Sequence, residues 1–446
     1  DLIHADLAKE YWKTKDNRVI MASEAGVLPL ENNTIIEKGR LQPGKIFLID
    51  IEEGRIIDDA EIKEKYATQK PYGKWLDDNM VELESLPEVE NKFTLTCKEI
   101  LEQQKAFNYT YEDIKMILAP MVETGVEATG SMGTDTPLAI LSTKPQLLFN
   151  YFKQLFAQVT NPPIDAIREE IIMGEDVLLG SEANLLSETP LHAKRIHLPR
   201  AIITNNELIK IKNVSDERLQ SITIPILFNK SIGNKGLKRE LKNIFKASDR
   251  AIKKGFTNII LSDRGVNAST IPIPSLLAVS GLHHHLTKAG TRTLTSIVIE
   301  TAEARELHHF ATLIGYGANA INPYLAFETI NNEFNKGNYK VPNYKTAEEN
   351  YLKAIRKGLY KIISKMGIST IESYNSAQIF EAVGLSEKLV KKYFTATPSR
   401  IGGIGINKLA EESIRRHTSA FSDSGDLLEN TGNYSWRSKG EFHQWN

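Results

Sequence analysis

The sequence has 446 residues, of which 41% are hydrophobic and 25% are charged, and its formal net charge is −1. These proportions are typical of a globular protein of two or three domains, and the balanced charge excludes the basic surface of a nucleic-acid-binding chain. The single cysteine, Cys97, excludes an intramolecular disulfide and a cysteine-ligated cluster, and no apolar run reaches membrane-spanning length.

Neither end of the sequence looks like a natural terminus. Residues 1–6 lack the basic and apolar regions of a signal peptide, and residues 441–446 end without a tail or cap. We therefore expect a segment from the middle of a longer protein. The scarcity of cysteine fits a reducing compartment.

The first sixty residues predict a β-rich unit. Residues 18–23 and 45–51 have the composition of strands, and a glycine-containing turn precedes a returning strand at residues 55–58. The segment from 60 to 90 is charged and irregular. It predicts a linker that contains one helix, at residues 60–66.

Residues 95–175 read as mostly helical, and the stretch from Gly130 to Asp165 within them organises the chain. It contains apolar residues at helical spacing, namely Leu147, Leu148, Tyr151, Phe152 and Leu155. This spacing predicts a buried helix at residues 146–158 between two polar loops, with further helices opening at Thr110-Tyr111-Glu112-Asp113, a capping box in form, and at residues 164–174. The loops fit either a site for a small polar molecule or plain proline turns, and spacing alone favours turns.

From about residue 220 the pattern alternates between strands and helices. Strands are predicted at residues 222–227, 258–262, 294–300 and 318–322, and helices at 237–254, 274–289, 302–314, 346–365, 377–383 and 387–394. Strands without polar alternation, separated by helices, indicate a parallel sheet covered on both faces. Right-handed crossovers leave a doubly wound sheet and a barrel-like array open. The glycine-rich residues 399–405 predict a turn, because they lack the spacing of a dinucleotide fingerprint.

Polar residues follow the predicted parallel strands at their carboxyl ends. Asp263 and Arg264 follow one strand, Glu300 ends the next, and Asn322 ends the third. Function concentrates at this edge in α/β folds, so these four residues predict a polar site. The competing interpretation, an internal ion-pair network, is slightly favoured because no second motif marks a substrate.

Two histidine runs invite a metal-site interpretation. They are residues 283–285 and residues 308–309. Adjacent histidines on a helix point about 100° apart, and a shared metal needs i, i+4 spacing. We therefore assign no metal ligand and expect helix-face histidines. Cys97 has no histidine near it in sequence, which favours an inert thiol.

Several blocks of the sequence resemble one family and follow the same order along the chain. They are residues 21–27, 38–45, 54–59, 130–136, 156–165, 261–265, 273–278, 317–329, 364–370 and 400–405. The family is the large subunit of glutamate synthase, and blocks of this length are specific. Two segments, residues 1–10 and 374–376, depart from the family's pattern.

The resemblance implies three parts. Residues 1–85 would hold the β-rich end of an Ntn-type glutamine amidotransferase domain and a linker, and residues 86–425 a central domain. The family's central domain is a flavin-free, degenerate relative of a TIM barrel, which favours a barrel-like α/β fold here. Residues 426–446 would lead into an absent FMN domain. Asp1 is not the family's cysteine nucleophile, so we assign no catalytic residue.

The family's reaction turns glutamine, 2-oxoglutarate and two electrons into two glutamates, and ammonia travels through a tunnel between two sites. The resemblance implies that this chain binds no cofactor itself, whereas the whole enzyme uses FMN, an iron–sulfur cluster, and NAD(P)H or ferredoxin. Its partners would be the remaining domains, and a small reductase subunit or ferredoxin, with no nucleic acid or membrane, in the cytoplasm or a plastid. The candidates for the channel or a domain interface are Ser131, Thr134, Thr136, Thr160, Asn161 and Pro162.

Two other functions compete with this channel and scaffold role. One is a self-sufficient barrel-like enzyme that uses Asp263, Arg264, Glu300 and Asn322 at the strand ends. The other is a metal-dependent hydrolase that uses the histidines, for which the spacing gives little support.

Overall fold

A computed structural model describes residues 10–23, 27–89, 95–130, 135–155, 165, 167–422 and 427–444. The chain divides into two compact units, a small one whose described residues end at Asp78 and a larger one that begins at Asn79. No helix in the described ranges is long and apolar enough to cross a membrane.

The small unit is built from short antiparallel strands and two helices. In chain order these are β1 (Glu10–Thr14), β2 (Val19–Ala22), β3 (Ile35–Arg40), β4 (Leu48–Asp50), β5 (Arg55–Ile57), α1 (Asp59–Thr68) and α2 (Tyr72–Asn79), the last of which ends at the boundary. Strand β1 pairs with both β2 and β3, and β4 forms a hairpin with β5. The predicted strands are confirmed.

The helix predicted at residues 60–66 is confirmed as α1, whereas the irregular linker predicted for the rest of residues 60–90 is wrong in part, because α2 occupies Tyr72–Asn79. The Asp58 carboxylate caps α1 by accepting a hydrogen bond from the Ala60 amide at 2.8 Å. Lys63 pairs with Asp59 one turn earlier, at 2.9 Å. The charged residues of α1 thus form the solvated surface of a capped helix.

The larger unit mixes strands and helices. Its elements are β6 (Val81–Glu82), α3 (Cys97–Ala106), α4 (Ala119–Thr124), β7 (Phe152–Gln154), α5 (Glu169–Ile172), β8 (Val177–Leu179), β9 (Ile196–Leu198), α6 (Asn205–Lys212), β10 (Ser221–Pro225), β11 (Leu227–Asn229), α7 (Lys235–Lys253), β12 (Asn258–Ser262), β13 (Thr270–Pro272), α8 (Ser275–Ala289), β14 (Ser296–Glu300), α9 (Leu307–Gly315), β15 (Ala320–Asn322), α10 (Tyr324–Asn335), α11 (Tyr344–Lys365), α12 (Ile371–Tyr374), β16 (Phe380–Leu385), α13 (Glu387–Tyr393), β17 (Ile401–Ile404) and α14 (Ile406–Ala420). The chain is therefore of the mixed α/β class.

A four-stranded parallel sheet forms the centre of the larger unit. Its strand order is β10-β12-β14-β15, so spatial neighbours follow chain order. Strands β12 and β14 are buried along their whole length, which explains why they lack polar alternation. The predicted parallel sheet is confirmed. The described strands leave this sheet open and do not close into a barrel.

The helix predicted at residues 146–158 is wrong. A single 3₁₀ turn at Leu148–Tyr151 leads directly into β7, which pairs antiparallel with β16. The apolar stripe is real, because Leu147, Leu148, Tyr151 and Phe152 are all buried. Long-range strand pairing therefore decides the backbone where local spacing favoured a helix.

Three further elements differ from their predictions. Residues 377–383 form no helix, because β16 takes Phe380–Leu385. The predicted glycine turn is instead β17, which runs parallel to β16. In the described part of residues 164–174, the helix is confined to α5.

Gly403 lets two backbones approach closely between β16 and β17. A Cβ atom on Gly403 would lie 2.1 Å from the carbonyl oxygen of Gly384, a distance at which the strands must move apart. Gly384 itself has a φ of +87°. Glycine is therefore needed here for strand packing and not for a turn.

Substituting Gly403 tests this packing. We expect Gly403→Ala to lower the free energy of unfolding by about 2 kcal/mol, because its methyl group displaces a backbone atom. The matched control is Gly402→Ala, at a position where a Cβ meets nothing within 4 Å. This control should change stability by less than about 0.5 kcal/mol. Equal effects in urea unfolding would refute the close-approach explanation.

Candidate functional site at the carboxyl edge of the sheet

The register of the parallel strands brings their terminal polar residues side by side. Ser262 is opposite Glu300, and Glu300 is opposite Asn322. The amide of Asp263 donates to the Glu300 carbonyl at 3.1 Å, so the chain after β12 stays at the same edge. Consecutive parallel strands thus align the residues that sequence reasoning selected.

Glu300 is the ionised centre of this edge, and its side chain is only 2% exposed. One carboxylate oxygen accepts from Lys212 Nζ and from Ser262 Oγ, each at 2.7 Å. Arg264 Nε donates to the other oxygen. Burial alone would raise the pKa of Glu300, but Arg264 and Lys212 outweigh burial and hold it below its usual range.

Asp263 is buried next to this ion pair and has a different charge state. Its carboxyl accepts from the Thr301 hydroxyl at 2.6 Å and from the Ala302 amide at 3.0 Å. Burial raises the pKa of Asp263 to about 8, although the hydrogen bond from Thr301 opposes the shift. The carboxyl is therefore mainly protonated at neutral pH.

Arg264 and Asn322 are also held by the surrounding structure. The Arg264 guanidinium lies over the Tyr324 ring, 4.0 Å from its centroid. Asn322 Nδ2 donates to the Ile203 carbonyl and to Asn205 Oδ1, each at 3.0 Å. Asp263, Arg264 and Glu300 thus lie in one polar cluster, and Asn322 is bonded separately to Ile203 and Asn205. This agrees with an internal ion-pair cluster better than with an open substrate site.

Sequence reasoning missed Arg305, which lies in the loop between β14 and α9 and is 5% exposed. Its guanidinium donates to the Asn108 carbonyl at 2.8 Å and to Asp113 Oδ2 at 3.2 Å. Asp113 also completes the predicted capping box, since it accepts from the Thr110 amide at 2.8 Å. The capping box was a signal for Asp113, but nothing local pointed to a partner almost 200 residues away.

This polar loop also explains why the helix predicted from residue 302 begins only at Leu307. Residues 301–306 turn their hydroxyl, carboxyl and guanidinium groups into the protein. Glu303 accepts from the Ser275 hydroxyl at 2.6 Å, and Glu306 pairs with His309 at 3.0 Å. The segment between β14 and α9 is therefore fixed by side-chain contacts.

Three of these histidines are engaged by separate neighbours. Arg292 donates to His283 at 3.0 Å, His285 pairs with Asp249 at 2.9 Å, and His308 contacts the Phe149 carbonyl at 3.1 Å. Burial, together with Arg292, lowers the pKa of His283 to about 3. The described residues contain no group of three His, Cys, Asp or Glu side chains that could hold a metal.

Among the channel candidates, the structure describes only Thr136, which is half-buried. Ser131, Thr134, Thr160, Asn161 and Pro162 lie outside the described residues. The residue before Thr136 is tied to the carboxyl-terminal segment, since Asp135 contacts His443 Nδ1 at 2.6 Å and its carbonyl accepts from the Gln444 amide at 3.0 Å.

Two family models match the chain. One describes the glutamate synthase central domain and covers residues 102–386, and the other describes class-II glutamine amidotransferases and covers residues 8–75. The glutamate synthase [NADPH] large chain of Bacillus subtilis is 46% identical over 98% of this chain. The chain belongs to the glutamate synthase family.

Other members of the glutamate synthase family show the same partial overlap. The ferredoxin-dependent glutamate synthase of Spinacia oleracea, a chloroplastic protein, is 40% identical over 97% of this chain, and the glutamate synthase [NADH] of Schizosaccharomyces pombe is 38% identical over 97%. The chain spans 28%, 27% and 21% of the Bacillus, Spinacia and Schizosaccharomyces proteins, respectively. It therefore corresponds to about a quarter of each.

The similarity between this chain and solved structures is weak. The flavin-binding domain of baker's yeast flavocytochrome b2 aligns with 66% of this chain and 95% of its own length, at 10% identity. The TM-score is 0.30, which is too low to support a conclusion about the fold.

The two buried carboxyls should respond differently to neutral isosteres. Glu300→Gln leaves Lys212 and Arg264 without their counter-charge and should cost about 3 kcal/mol of unfolding free energy. Asp263→Asn replaces a mainly protonated carboxyl and should cost about 1 kcal/mol at pH 7. Urea unfolding of both variants measures the difference. A larger loss for Asp263→Asn would reverse our assignment of charge.

Proposed function

We propose that this chain is the central scaffold and ammonia-channel portion of a glutamate synthase. The complete protein would convert glutamine, 2-oxoglutarate and two electrons into two glutamates, which assimilates ammonia. In this proposal, residues 1–85 belong to the amidotransferase domain, residues 86–425 to the central domain, and residues 426–446 lead toward a flavin domain. Membership of the family supports this role.

The observation that carries the scaffold role is the enclosure of the sheet's carboxyl edge. Barrel enzymes bind substrates and cofactors at this edge. Here the side chains of Asp263, Glu300 and Asn322 are buried and bonded to their neighbours. The strand order follows the chain, as in a barrel, which supports descent from a flavin barrel that has become a structural element.

The residues of this chain do not fit the family's cofactors. At the carboxyl edge, a flavin would have to displace the buried side chains of Asp263, Glu300 and Asn322. An iron–sulfur cluster needs several thiolates, and Cys97 is the single cysteine in the sequence. We therefore assign FMN, the cluster and the contact with NAD(P)H or ferredoxin, including any small reductase subunit, to other parts of the complete protein.

The channel role rests on the chemistry of ammonia. Only the neutral molecule is a nucleophile, and it becomes protonated in bulk water. A passage lined with hydroxyls, amides and carbonyls would hold it and exclude solvent. The candidates for this lining are the loop residues Ser131, Thr134, Thr136, Thr160, Asn161 and Pro162.

Blocking the second loop in the complete protein tests the channel. We expect Asn161→Leu to reduce glutamine-dependent glutamate synthesis at least fivefold while glutamine hydrolysis continues, because ammonia escapes to solution. Added ammonium should restore synthesis. The control is Asn206→Leu, at an exposed position of α6. Hydrolysis and synthesis that remain coupled in Asn161→Leu would rule out a passage at this loop.

A further inference from the structure

The carboxyl-terminal segment, residues 427–444, is fastened to a segment that lies far away in the sequence and begins at Asp135. The Gln444 amide donates to the Asp135 carbonyl at 3.0 Å, and Ser142 Oγ donates to the Glu441 carboxylate at 2.7 Å. Ser142 and Glu441 are 299 residues apart in sequence, and Glu441 is 4% exposed. The contact is therefore a long-range one with a buried polar centre.

His443 belongs to this contact, and both of its ring nitrogens face hydrogen-bond acceptors. Nδ1 lies 2.6 Å from Asp135 Oδ1, and Nε2 lies 2.6 Å from the Gly432 carbonyl oxygen. A neutral imidazole carries one N–H and donates once, whereas an imidazolium donates from both nitrogens. The His443 side chain is only 5% exposed. Both bonds to a carboxylate and a carbonyl can form together only when His443 is an imidazolium.

The surroundings of His443 favour this cation. The hydrogen bond to the Gly432 carbonyl raises the pKa of His443, and Asp135 adds to the shift, although burial opposes it. The carboxylate of Glu112 acts in the same direction. The charged side chains on the elements that meet here are Glu112, Asp135 and Lys144, with Arg437, Lys439 and Glu441 on the segment of His443 itself.

The position of Asp135 bears directly on Thr136, a half-buried residue among the candidates for the ammonia passage. Thr136 stands between Asp135, which His443 holds, and Pro137. A residue that precedes proline is restricted to extended backbone, so Thr136 has little conformational freedom of its own. A displacement of Asp135 is therefore passed on to Thr136.

We propose that His443 is a positioning residue, which as an imidazolium holds Asp135 and thereby fixes Thr136 at the ammonia passage. This inference rests on the channel role proposed above for Thr136. The carboxyl-terminal segment would lead toward the flavin domain in the same proposal. The contact of His443 with Asp135 would then tie the lining of the passage to the side of the protein at which ammonia is consumed.

This fastening depends on pH in one direction. A histidine whose pKa is higher in the folded protein than in the unfolded chain stabilises the folded state most below the unfolded value of about 6.5, and this contribution is lost as the pH rises through the folded value. His443 therefore holds both acceptors in mildly acidic solution and gives up one of its two hydrogen bonds in alkaline solution.

Nuclear magnetic resonance titration of the histidine rings in the 446-residue chain tests the contact itself. The signal of His443 is the one that His443→Gln removes. We expect it to titrate above about 6.5, and Asp135→Asn should lower its pKa by about 1. The matched control, Asp249→Asn, removes the carboxylate partner of His285 and should leave His443 unchanged. A His443 pKa at or below its ordinary value, or equal shifts in both variants, would overturn the proposal whether or not a channel exists.

The complete protein tests the link to the passage. His443→Asn places its amide close to the position of Nδ1 and can still donate to Asp135, whereas His443→Gln places it close to Nε2 and cannot. We expect His443→Gln to raise the glutamine hydrolysed per glutamate formed about fivefold, the effect of one lost hydrogen bond, and to remove the pH dependence of this ratio. His443→Asn and the control His192→Gln, whose imidazole contacts the Ser187 carbonyl, should stay near the unsubstituted protein.

The variants also separate this inference from the channel on which it rests. Equal ratios in His443→Gln and His443→Asn would contradict a positioning role through Asp135. Coupling that is intact in His443→Gln but broken in Asn161→Leu would overturn the role of His443 alone. Coupling that is intact in both would overturn the channel as well.

Discussion

The buried charge of Glu300 is the interaction on which the rest of the larger unit depends. A carboxylate can be ionised in a protein interior only where cations and donors replace its water. Lys212 from α6, Arg264 after β12 and Ser262 within β12 supply that replacement. The contacts therefore join two strands and a covering helix, and they fill the edge at which an α/β enzyme would keep its substrate.

This arrangement separates the charge states of neighbouring carboxyls. Glu300 is ionised because two cations face it, and Asp263 is mainly protonated at neutral pH because burial dominates its surroundings. Perturbed carboxyls often mark catalytic sites. Here both are enclosed by hydrogen bonds from the loop after β14 and from neighbouring elements. Their perturbation accordingly reflects internal structure, which supports a scaffold role.

Prediction from the sequence succeeded where the local pattern agrees with the fold. It failed where residues distant in sequence determine the secondary structure. Strand β12 was predicted with the observed bounds, because a short continuous apolar run is typical of a strand in a parallel sheet that is covered on both faces. Strands β7, β16 and β17 were missed, since β7 pairs across more than 200 residues and β17 requires the contact of Gly403 with Gly384. Residues at the strand ends were predictable from topology, whereas Arg305 was not, because its partners lie in another element.

The central claim is that the carboxyl edge of the parallel sheet is closed and that this chain acts as a scaffold. The most direct measurement is titration of the purified 446-residue chain with FMN, followed by flavin fluorescence, beside an assay for ammonia release from glutamine. The account predicts neither saturable flavin binding nor glutamine hydrolysis. Saturable binding of FMN that is lost in Glu300→Gln would contradict it and would identify an open site at the sheet edge.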